Sequence, residues 1–312
     1  MMKIAILSPV FNDWLSARSL IANLSAAYEE SSATLEITLV DDGSTEEPPL
    51  DFAAEKYSNV EVVEILRLRR NLGHQRAIAV GLCHLFDKSQ CDVVVVMDSD
   101  GEDKPCDAAR LTEKVVASGG GSIIFAERGR RSENALFKAF YRAYCLVHWL
   151  LTGQRIRVGN FSVVPKRLIS RLVTDPNLWN HYAAAVYNSR IPHFTLKSDR
   201  GSRYHGKSKL NFAGLVIHGL SAIACYSEII GVRVMVLSLL ATLGAVAAIG
   251  TVIVVRFTTS LAIPGWATMA VGFVLILFMQ ILSIAALFTF TVLHGRRAQS
   301  TIPIKEYSYF IQ

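Results

Sequence analysis

Short apolar runs alternate with amphipathic stretches along the first part of the chain. The apolar runs have the length of buried strands, and they lie at Ile4–Leu7, Leu35–Val40, Val60–Leu66, Val93–Met97 and Ser122–Ala126. Helical periodicity is found between them, at Leu15–Tyr28, near Phe52–Tyr57, at 71–86 and at Asp107–Ala117. Strands that alternate with helices predict a mostly parallel sheet covered by helices on both faces. We therefore expect an α/β domain.

The chain becomes mostly apolar after residue 210. Residues 210–230 are interrupted by polar side chains, so we expect an interfacial helix there. Val234–Val255 and Trp266–Leu293 contain no charged residue, and each exceeds the roughly 20 residues that cross the hydrocarbon core. A short connection joins them, which predicts a transmembrane hairpin.

These patterns divide the chain into four parts. We expect a folded domain over 1–209, an interfacial helix over 210–231, a hairpin over 232–295 and a tail over 296–312. Basic residues precede the first span and follow the second, and a single arginine lies at the connecting loop. The positive-inside rule then predicts that the domain and both termini are cytoplasmic. The N-terminus has no signal-peptide pattern.

Leu136–Leu151 is predicted to be an amphipathic and unusually aromatic helix. It is either a core helix or a helix that lies on the membrane or on a partner subunit. The second possibility leads us to expect a homo-oligomer.

Composition narrows the class of protein. Hydrophobic residues make up 51% of the chain and are concentrated after residue 210, while the net charge is +6. This charge suits an anionic membrane surface, but it is too diffuse to indicate nucleic-acid binding. The five cysteines form no CxxC pair, which favours a reduced, cytosol-facing domain.

Polar motifs follow three of the predicted strands. They are Ser8-Pro9-Val10-Phe11-Asn12, Asp41-Asp42-Gly43-Ser44 and the acidic turn Asp98-Ser99-Asp100-Gly101-Glu102-Asp103. The carboxyl ends of parallel strands share one edge of a sheet, where ligands bind. Carboxylates spaced as Asp98 and Asp100 suit Mg²⁺ or Mn²⁺, and Asp41 or Asp42 is suited to a nucleotide's base or ribose. The alternative for the acidic turn is a solvated loop.

The order of these motifs resembles the signature of family-2 inverting glycosyltransferases. The matching segments are Val40–Ser44, 71–77 and Asp98–Asp100. Gly159–Val163 and Arg203–Lys209 resemble segments of the polyprenyl-phosphate branch, which includes dolichyl-phosphate mannose synthase and the GtrB-type bacterial glucosyltransferases. The resemblance implies a GT-A-like nucleotide-sugar-binding domain, interfacial helices and a two-helix membrane hairpin.

The resemblance also implies roles for individual residues. The nucleotide sugar would contact Pro9, Asp41, Asp42, Asn71, Gly73, Gln75, Asp98, Asp100 and Arg128. The metal, Mg²⁺ or Mn²⁺, would be held by Asp98, Asp100 and Glu102. Relatives usually carry glutamine at the position of Glu102. Catalysis would use Asp98, Asp100, Asn160 and Arg203. Many relatives have aspartate in place of Asn160, so we expect Asn160 to orient the acceptor and not to act as a base.

A basic cluster before the first span is expected to bind the acceptor phosphate. Its members are Arg128, Arg131, Arg203, Lys207, Ser208 and Lys209. A lipid phosphate is an anion at the membrane surface, and arginine can grip it with two parallel hydrogen bonds. An ordinary juxtamembrane basic patch is the alternative.

We expect from these features a bacterial inner-membrane glycosyltransferase that moves a sugar from a UDP- or GDP-sugar to undecaprenyl or dolichyl phosphate. One alternative is a family-2 transferase that acts on a glycan or glycolipid. Another is an inactive membrane scaffold that keeps the fold.

Overall fold

The computed structural model describes residues 2–49, 52, 56–128, 145–154, 158–206, 212–259, 265–297 and 301–312. The chain forms two compact units. The first unit contains Met1–Leu146, Gln154–Cys225 and Thr301–Gln312, and the second contains Val147–Gly153 and Tyr226–Ser300.

A seven-stranded sheet forms the centre of the first unit. Its strands are β1 (Met2–Val10), β2 (Ala33–Asp41), β3 (Val60–Arg67), β4 (Val93–Val96), β5 (Ile123–Arg128), β6 (Ser162–Pro165) and β7 (His193–Ser198). They lie in the order β3-β2-β1-β4-β6-β5-β7. All neighbours are parallel except at β6, which runs antiparallel to β4 and to β5. The expected α/β fold with a mostly parallel sheet is confirmed.

Helices cover both faces of this sheet. They are α1 (Trp14–Ala27), α2 (His74–Lys88), α3 (Pro105–Ala117), α4 (Lys166–Val173) and α5 (Tyr182–Asn188). A further helix, α6 (Phe212–Ala224), follows β7 in the chain and contacts α5. Side chains of β1 alternate between the faces: Ile4 and Ile6 pack with α1 and α3, while Ala5 and Leu7 pack with α2, α4 and α5. Each fully buried aliphatic side chain contributes about 1.5–3 kcal/mol. Two cores therefore hold the sheet and keep its strand ends in place.

Gly81 brings α2 close to the sheet. A Cβ at this position would overlap the side chain of Leu7 and would lie 2.8 Å from Cγ2 of Val40. The absence of a side chain at Gly81 therefore lets α2 pack directly on β1 and β2. This contact fixes the position of the helix whose first residues reach the strand ends.

The second unit contains two long apolar helices, α7 (Ser227–Thr258) and α8 (Trp266–Arg297), which pack along each other. Within the described residues, these are the helices that are long and apolar enough to cross a membrane. α7 begins at Ser227, seven residues before Val234, where the expected span starts. Only two residues separate Ser227 from the end of α6 at Ala224. Of the predicted aromatic helix 136–151, residues 136–144 lie outside the described residues, and 145–152 are helical.

The last residues of the chain, 301–312, belong to the first unit and pair with the end of β3. Ile311 forms an antiparallel bridge with Leu68, and the Gln312 amide donates to the carbonyl oxygen of Arg67 at 3.0 Å. The Tyr307 hydroxyl donates to Asp87 of α2 at 2.7 Å. An edge strand with unpaired backbone groups is prone to association, and this tail pairs the backbone where β3 ends, at residues 67–69.

Tyr307→Ala is expected to lower the free energy of unfolding of the first unit by about 2–4 kcal/mol, because a buried aromatic ring and its hydrogen bond are lost. Thermal unfolding of the purified full chain would measure this. Tyr309 is 74% exposed and lies two residues away, so Tyr309→Ala is a matched control with an expected change within about 0.5 kcal/mol. Equal melting temperatures for the two variants would show that the tail does not stabilise the domain.

Candidate active site at the strand ends

The carboxyl ends of β2, β1 and β4 lie side by side and carry the three predicted polar motifs. Asn12, at the end of β1, joins the first two motifs: its amide donates to the Ser44 hydroxyl at 2.9 Å. Its side-chain oxygen accepts from the amides of Thr45 and Glu46. Pro9 is buried in β1 beside Val40. The structure therefore brings the motif residues to one edge of the sheet.

Asp41 and Asp42 shape the turn after β2. The Asp41 carboxylate accepts from the Ser44 amide at 2.8 Å. The two oxygens of Asp42 accept from the amides of Leu72 at 2.7 Å and Gly73 at 3.0 Å. Burial raises the pKa of Asp42, and these two backbone donors act in the opposite direction. Asp42 therefore anchors the segment that leads into α2.

The first residues of α2 begin a chain of hydrogen bonds across the site. The Gln75 side-chain oxygen accepts from the Tyr182 amide at 2.8 Å, which directs its amide nitrogen to the oxygen of Asn160 at 3.2 Å. The Asn160 amide nitrogen then lies 3.0 Å from Nε2 of His74. A backbone N–H can only donate, so the Tyr182 amide sets the orientation of both side-chain amides. The orientation of Asn160 is therefore set by Gln75 and His74.

His74 connects this chain to the acidic turn. Its Nε2 lies 3.2 Å from Oδ1 of Asp98, and its side chain is 43% exposed. Partial burial acts against the charged imidazole, but the negative charges of Asp98, Asp42 and Asp103 outweigh it and raise the pKa of His74. Nε2 accepts from the Asn160 amide when it carries no proton and faces Asp98 as a donor when it is protonated, so it serves one of these two neighbours at a time. A role for His74 was not expected from the sequence, in which a histidine at a helix start is more often structural.

The acidic turn after β4 is a tight loop held by its own carboxylates. The Asp98 amide donates to the buried Asp103 carboxylate at 3.0 Å, and the Glu102 amide donates to Asp100 at 2.9 Å. Burial raises the pKa of Asp100, and the negative charge of Asp98 raises it further. The two carboxylates thus repel each other, a strain that a bound cation would relieve.

Each of the three carboxylates predicted to hold the metal has a basic neighbour. Asp98 faces His74, Asp100 accepts from Nη1 of Arg203 at 2.8 Å, and Glu102 pairs with Arg200. Nη2 of Arg203 also contacts Asp13 at 3.1 Å.

Among the described residues, no three or more His, Cys, Asp or Glu side chains are grouped closely enough to hold a metal ion as they stand. The predicted metal ligands Asp98, Asp100 and Glu102 all offer carboxylate oxygens, however, and these are the ligands that suit Mg²⁺ or Mn²⁺.

Several predicted residues remain untested by this geometry. Arg131, Lys207, Ser208 and Lys209 lie outside the described residues, and the side chain of Arg128 is likewise outside them. Asn71 and Gly73 lie at the start of α2, next to the Asp42 hydrogen bonds. Sequence reasoning missed Asp13 and Arg200, which become part of the site only through contacts with distant residues. The one available signal for Asp13 is its position directly after a strand end.

Comparison with protein families gives one match over most of this domain. The profile described as Glycosyl transferase family 2 matches residues 5–172, which is more than half of the chain.

Two curated relatives are both named undecaprenyl-phosphate 4-deoxy-4-formamido-L-arabinose transferase. The protein from Pseudomonas aeruginosa (strain LESB58) is 28% identical over 233 residues, which cover 71% of this chain and 64% of the relative. The protein from Salmonella paratyphi A is 27% identical over 254 residues, which cover 80% of this chain and 73% of the relative. The chain therefore spans a little less than two thirds of the length of the Pseudomonas relative.

Solved structures show the same fold at low sequence identity. Glucosyl-3-phosphoglycerate synthase from Mycobacterium tuberculosis, crystallised with Mn²⁺, UDP-glucose and phosphoglyceric acid, has a TM-score of 0.52 and is 14% identical; the match covers 74% of this chain and 80% of that one. Mannosyl-3-phosphoglycerate synthase from Rubrobacter xylanophilus has a TM-score of 0.51 and is 14% identical; the match covers 73% of each chain.

Proposed function

The chain belongs to glycosyl transferase family 2, and from this membership we propose that it transfers a sugar from a UDP- or GDP-sugar to a polyprenyl phosphate. One observation carries the proposal. A turn rich in carboxylates lies beside the turn at Asp41 and Asp42, on a domain that leads into two apolar helices. The first turn suits a metal–diphosphate, the second a nucleoside, and the helices a lipid acceptor. The names of the two curated relatives, which are undecaprenyl-phosphate transferases, support the same class of acceptor.

The proposed reaction is a single displacement at the anomeric carbon of the sugar. An acceptor phosphate oxygen forms the new bond, and the bond between this carbon and the nucleoside diphosphate breaks. The phosphate oxygen is already ionised at neutral pH, so a strong general base is not required. Catalysis then depends on holding both substrates in line and on stabilising the leaving group.

The chain's own residues supply this positioning. Asp98 and Asp100 would hold Mg²⁺ or Mn²⁺, with Glu102 beside them, and the ion would offset the charge of the leaving diphosphate. Asp42 keeps residues 72 and 73 fixed at the donor side. Asn160 cannot accept a proton as a carboxylate would, and its rigid hydrogen bonds suit it to orient the acceptor. The basic side chains at 128, 131, 203, 207 and 209, together with Ser208, would bind the acceptor phosphate.

We also propose a bacterial inner-membrane location with the first unit in the cytoplasm. The tail after α8 packs on the same sheet domain from which the chain enters α7, which supports a hairpin with both ends on one side. The basic residues near the helix ends favour the cytoplasmic side. In the segment 145–152, the exposed Leu146, Trp149 and Leu150 fit a lipid surface or a second copy of the chain, so a homo-oligomer remains part of the proposal.

The test is an assay of the purified full chain with a panel of UDP- and GDP-sugars and with undecaprenyl or dolichyl phosphate. We expect an acid-labile sugar-phosphate lipid, lost on chelation and restored by Mg²⁺ or Mn²⁺. Transfer only to a glycan or glycolipid would identify a different acceptor. Tight nucleotide binding without any product would indicate an inactive scaffold.

Asn160→Ala is expected to raise the KM for the lipid phosphate and to lower kcat by about 10- to 100-fold, because the acceptor loses its alignment. Steady-state kinetics with varied acceptor would measure both constants. Asn188→Ala, at the other end of α5 from Tyr182, is the control and should change neither. Complete loss of turnover with unchanged acceptor binding would contradict a purely orienting role.

A further inference from the structure

The segment 199–206, called the strap below, lies against the acidic turn. The Gly201 amide donates to the Glu102 carbonyl oxygen and the Tyr204 amide to the Asp100 carbonyl oxygen, both at 2.8 Å. The ring of Tyr204 covers Gly101, where a Cβ would lie 2.8 Å from the ring. Backbone and ring contacts therefore hold the strap against the turn that carries the predicted metal ligands.

Two arginines of the strap pair with carboxylates of the turn. Arg200 pairs with Glu102. Arg203 uses both terminal nitrogens of its guanidinium, one on Asp100 and one on Asp13. The three side chains of this second group are only 15–22% exposed, so water screens their charges less than at an open surface.

The position of Arg203 conflicts with a cation at Asp100. One Asp100 oxygen accepts from Arg203, and the other accepts from the Glu102 amide. A cation that binds Asp100 must therefore compete with the guanidinium for the carboxylate. The planar fork of arginine bridges two carboxylates in a way that the single ammonium group of lysine cannot reproduce.

We propose that, while the metal is absent, the Arg203 guanidinium occupies the place of the donor-site cation at Asp100. Metal binding then displaces Arg203 from Asp100, which is called the exchange below. The freed guanidinium is then available for the acceptor phosphate, so donor and metal bind before the lipid. Arg200 and Glu102 keep the strap in place during this exchange. The inference rests on the proposed function, because it assumes that Asp98 and Asp100 bind a divalent cation.

The alternative to the exchange is that Arg203 and Asp13 affect Mn²⁺ only through their charges. The two explanations predict different changes in Mn²⁺ affinity for Arg203→Lys and for Asp13→Asn. Arg203→Lys keeps the charge and loses the bridge, so exchange predicts tighter Mn²⁺ binding, whereas through-space charge predicts no change. Asp13→Asn removes a negative charge near the site, so through-space charge predicts weaker Mn²⁺ binding. Exchange predicts tighter binding, because the guanidinium leaves both Asp100 and Asp13 when the metal binds, and in the variant only one of these two contacts has to be broken. Asp13 is the N-cap residue of α1 but its side chain makes no capping hydrogen bond, so asparagine should leave the start of α1 unchanged.

The experiment measures Mn²⁺ affinity of the full chain by electron paramagnetic resonance, without nucleotide or lipid. We expect Arg203→Lys and Asp13→Asn each to bind Mn²⁺ about threefold more tightly or better than the unaltered chain. Arg110→Lys, in the ion pair between Arg110 and Asp107 of α3, is the control and should leave the affinity unchanged. Melting temperatures establish that each variant is folded.

Unchanged affinity in Arg203→Lys together with weaker binding in Asp13→Asn would overturn the exchange. If the unaltered chain binds Mn²⁺ and makes the lipid product in this case, the proposed function stands and the inference alone fails. If neither the unaltered chain nor the variants bind Mn²⁺, the metal-assisted function and the exchange both fail.

Discussion

Asp100→Asn is expected to lower kcat/KM for sugar transfer by about 10²–10³-fold or more, the size of effect seen when one group that stabilises developing charge is removed. Asparagine keeps the shape of the side chain and can still accept from the Glu102 amide. It removes the negative charge that a cation requires and the ionic partner of Arg203. We therefore expect the variant to lose activity and to keep its folded structure.

Initial rates at saturating Mn²⁺, with donor and acceptor varied in turn, would measure this effect. Asp92→Asn is the matched control, because Asp92 directly precedes the same strand, β4, at the end away from the site, and its carboxylate accepts from the Lys3 backbone amide at 2.8 Å. Its activity should stay close to that of the unaltered chain. An Asp100→Asn variant with more than about a tenth of normal kcat/KM would contradict a central role for this carboxylate.

Gly43→Ala is expected to have the second-largest effect, a loss of at least about 2 kcal/mol of stability together with a large loss of nucleotide affinity. Gly43 has a φ of +71°, and an added Cβ would lie 2.6 Å from the Asn71 amide nitrogen and 2.7 Å from the Arg70 carbonyl carbon. Both neighbours are backbone atoms, so they can move only if the segment 70–73 shifts. Such a shift would break the hydrogen bonds of Asp42.

Gly119→Ala separates the clash from the backbone strain. Gly119 has nearly the same φ, +68°, but a Cβ there would meet nothing within 4 Å. It should cost about 1–2 kcal/mol and leave nucleotide affinity unchanged. Thermal unfolding and calorimetric titration with UDP or GDP would compare the two variants. Equal effects on both quantities would show that the close approach of Gly43 to residues 70 and 71 is unimportant.

The sequence predicted those parts of the fold that depend on local patterns. The run of valines at 93–96 is a buried strand, and the acidic turn follows it directly. β7 was not expected, because this short strand at the sheet edge has only two apolar residues, Phe194 and Leu196, too few to give a clear alternation. The antiparallel direction of β6 depends on pairing with β4 and β5, which a local pattern does not encode.

The site was predictable as a set of strand ends but not as a network. Arg203 and Asp100 are 103 positions apart, and Arg203 and Asp13 are 190 apart, so neither pair leaves a local signal. The same holds for Asn160 and His74, whose contact depends on how α2 packs on the sheet. The docking of the tail on β3 was also not predicted, because a few residues that add to a sheet edge carry too little pattern.

The most direct test of the account is to identify both products when the purified full chain acts on a nucleotide sugar and undecaprenyl phosphate. Mass spectrometry of the lipid and chromatography of the nucleotide would be carried out on the same reaction. The account predicts a lipid that carries one phosphate and one sugar, with one nucleoside diphosphate released for each lipid formed. A lipid diphosphate with release of nucleoside monophosphate, or no sugar-bearing lipid with any donor, would contradict it.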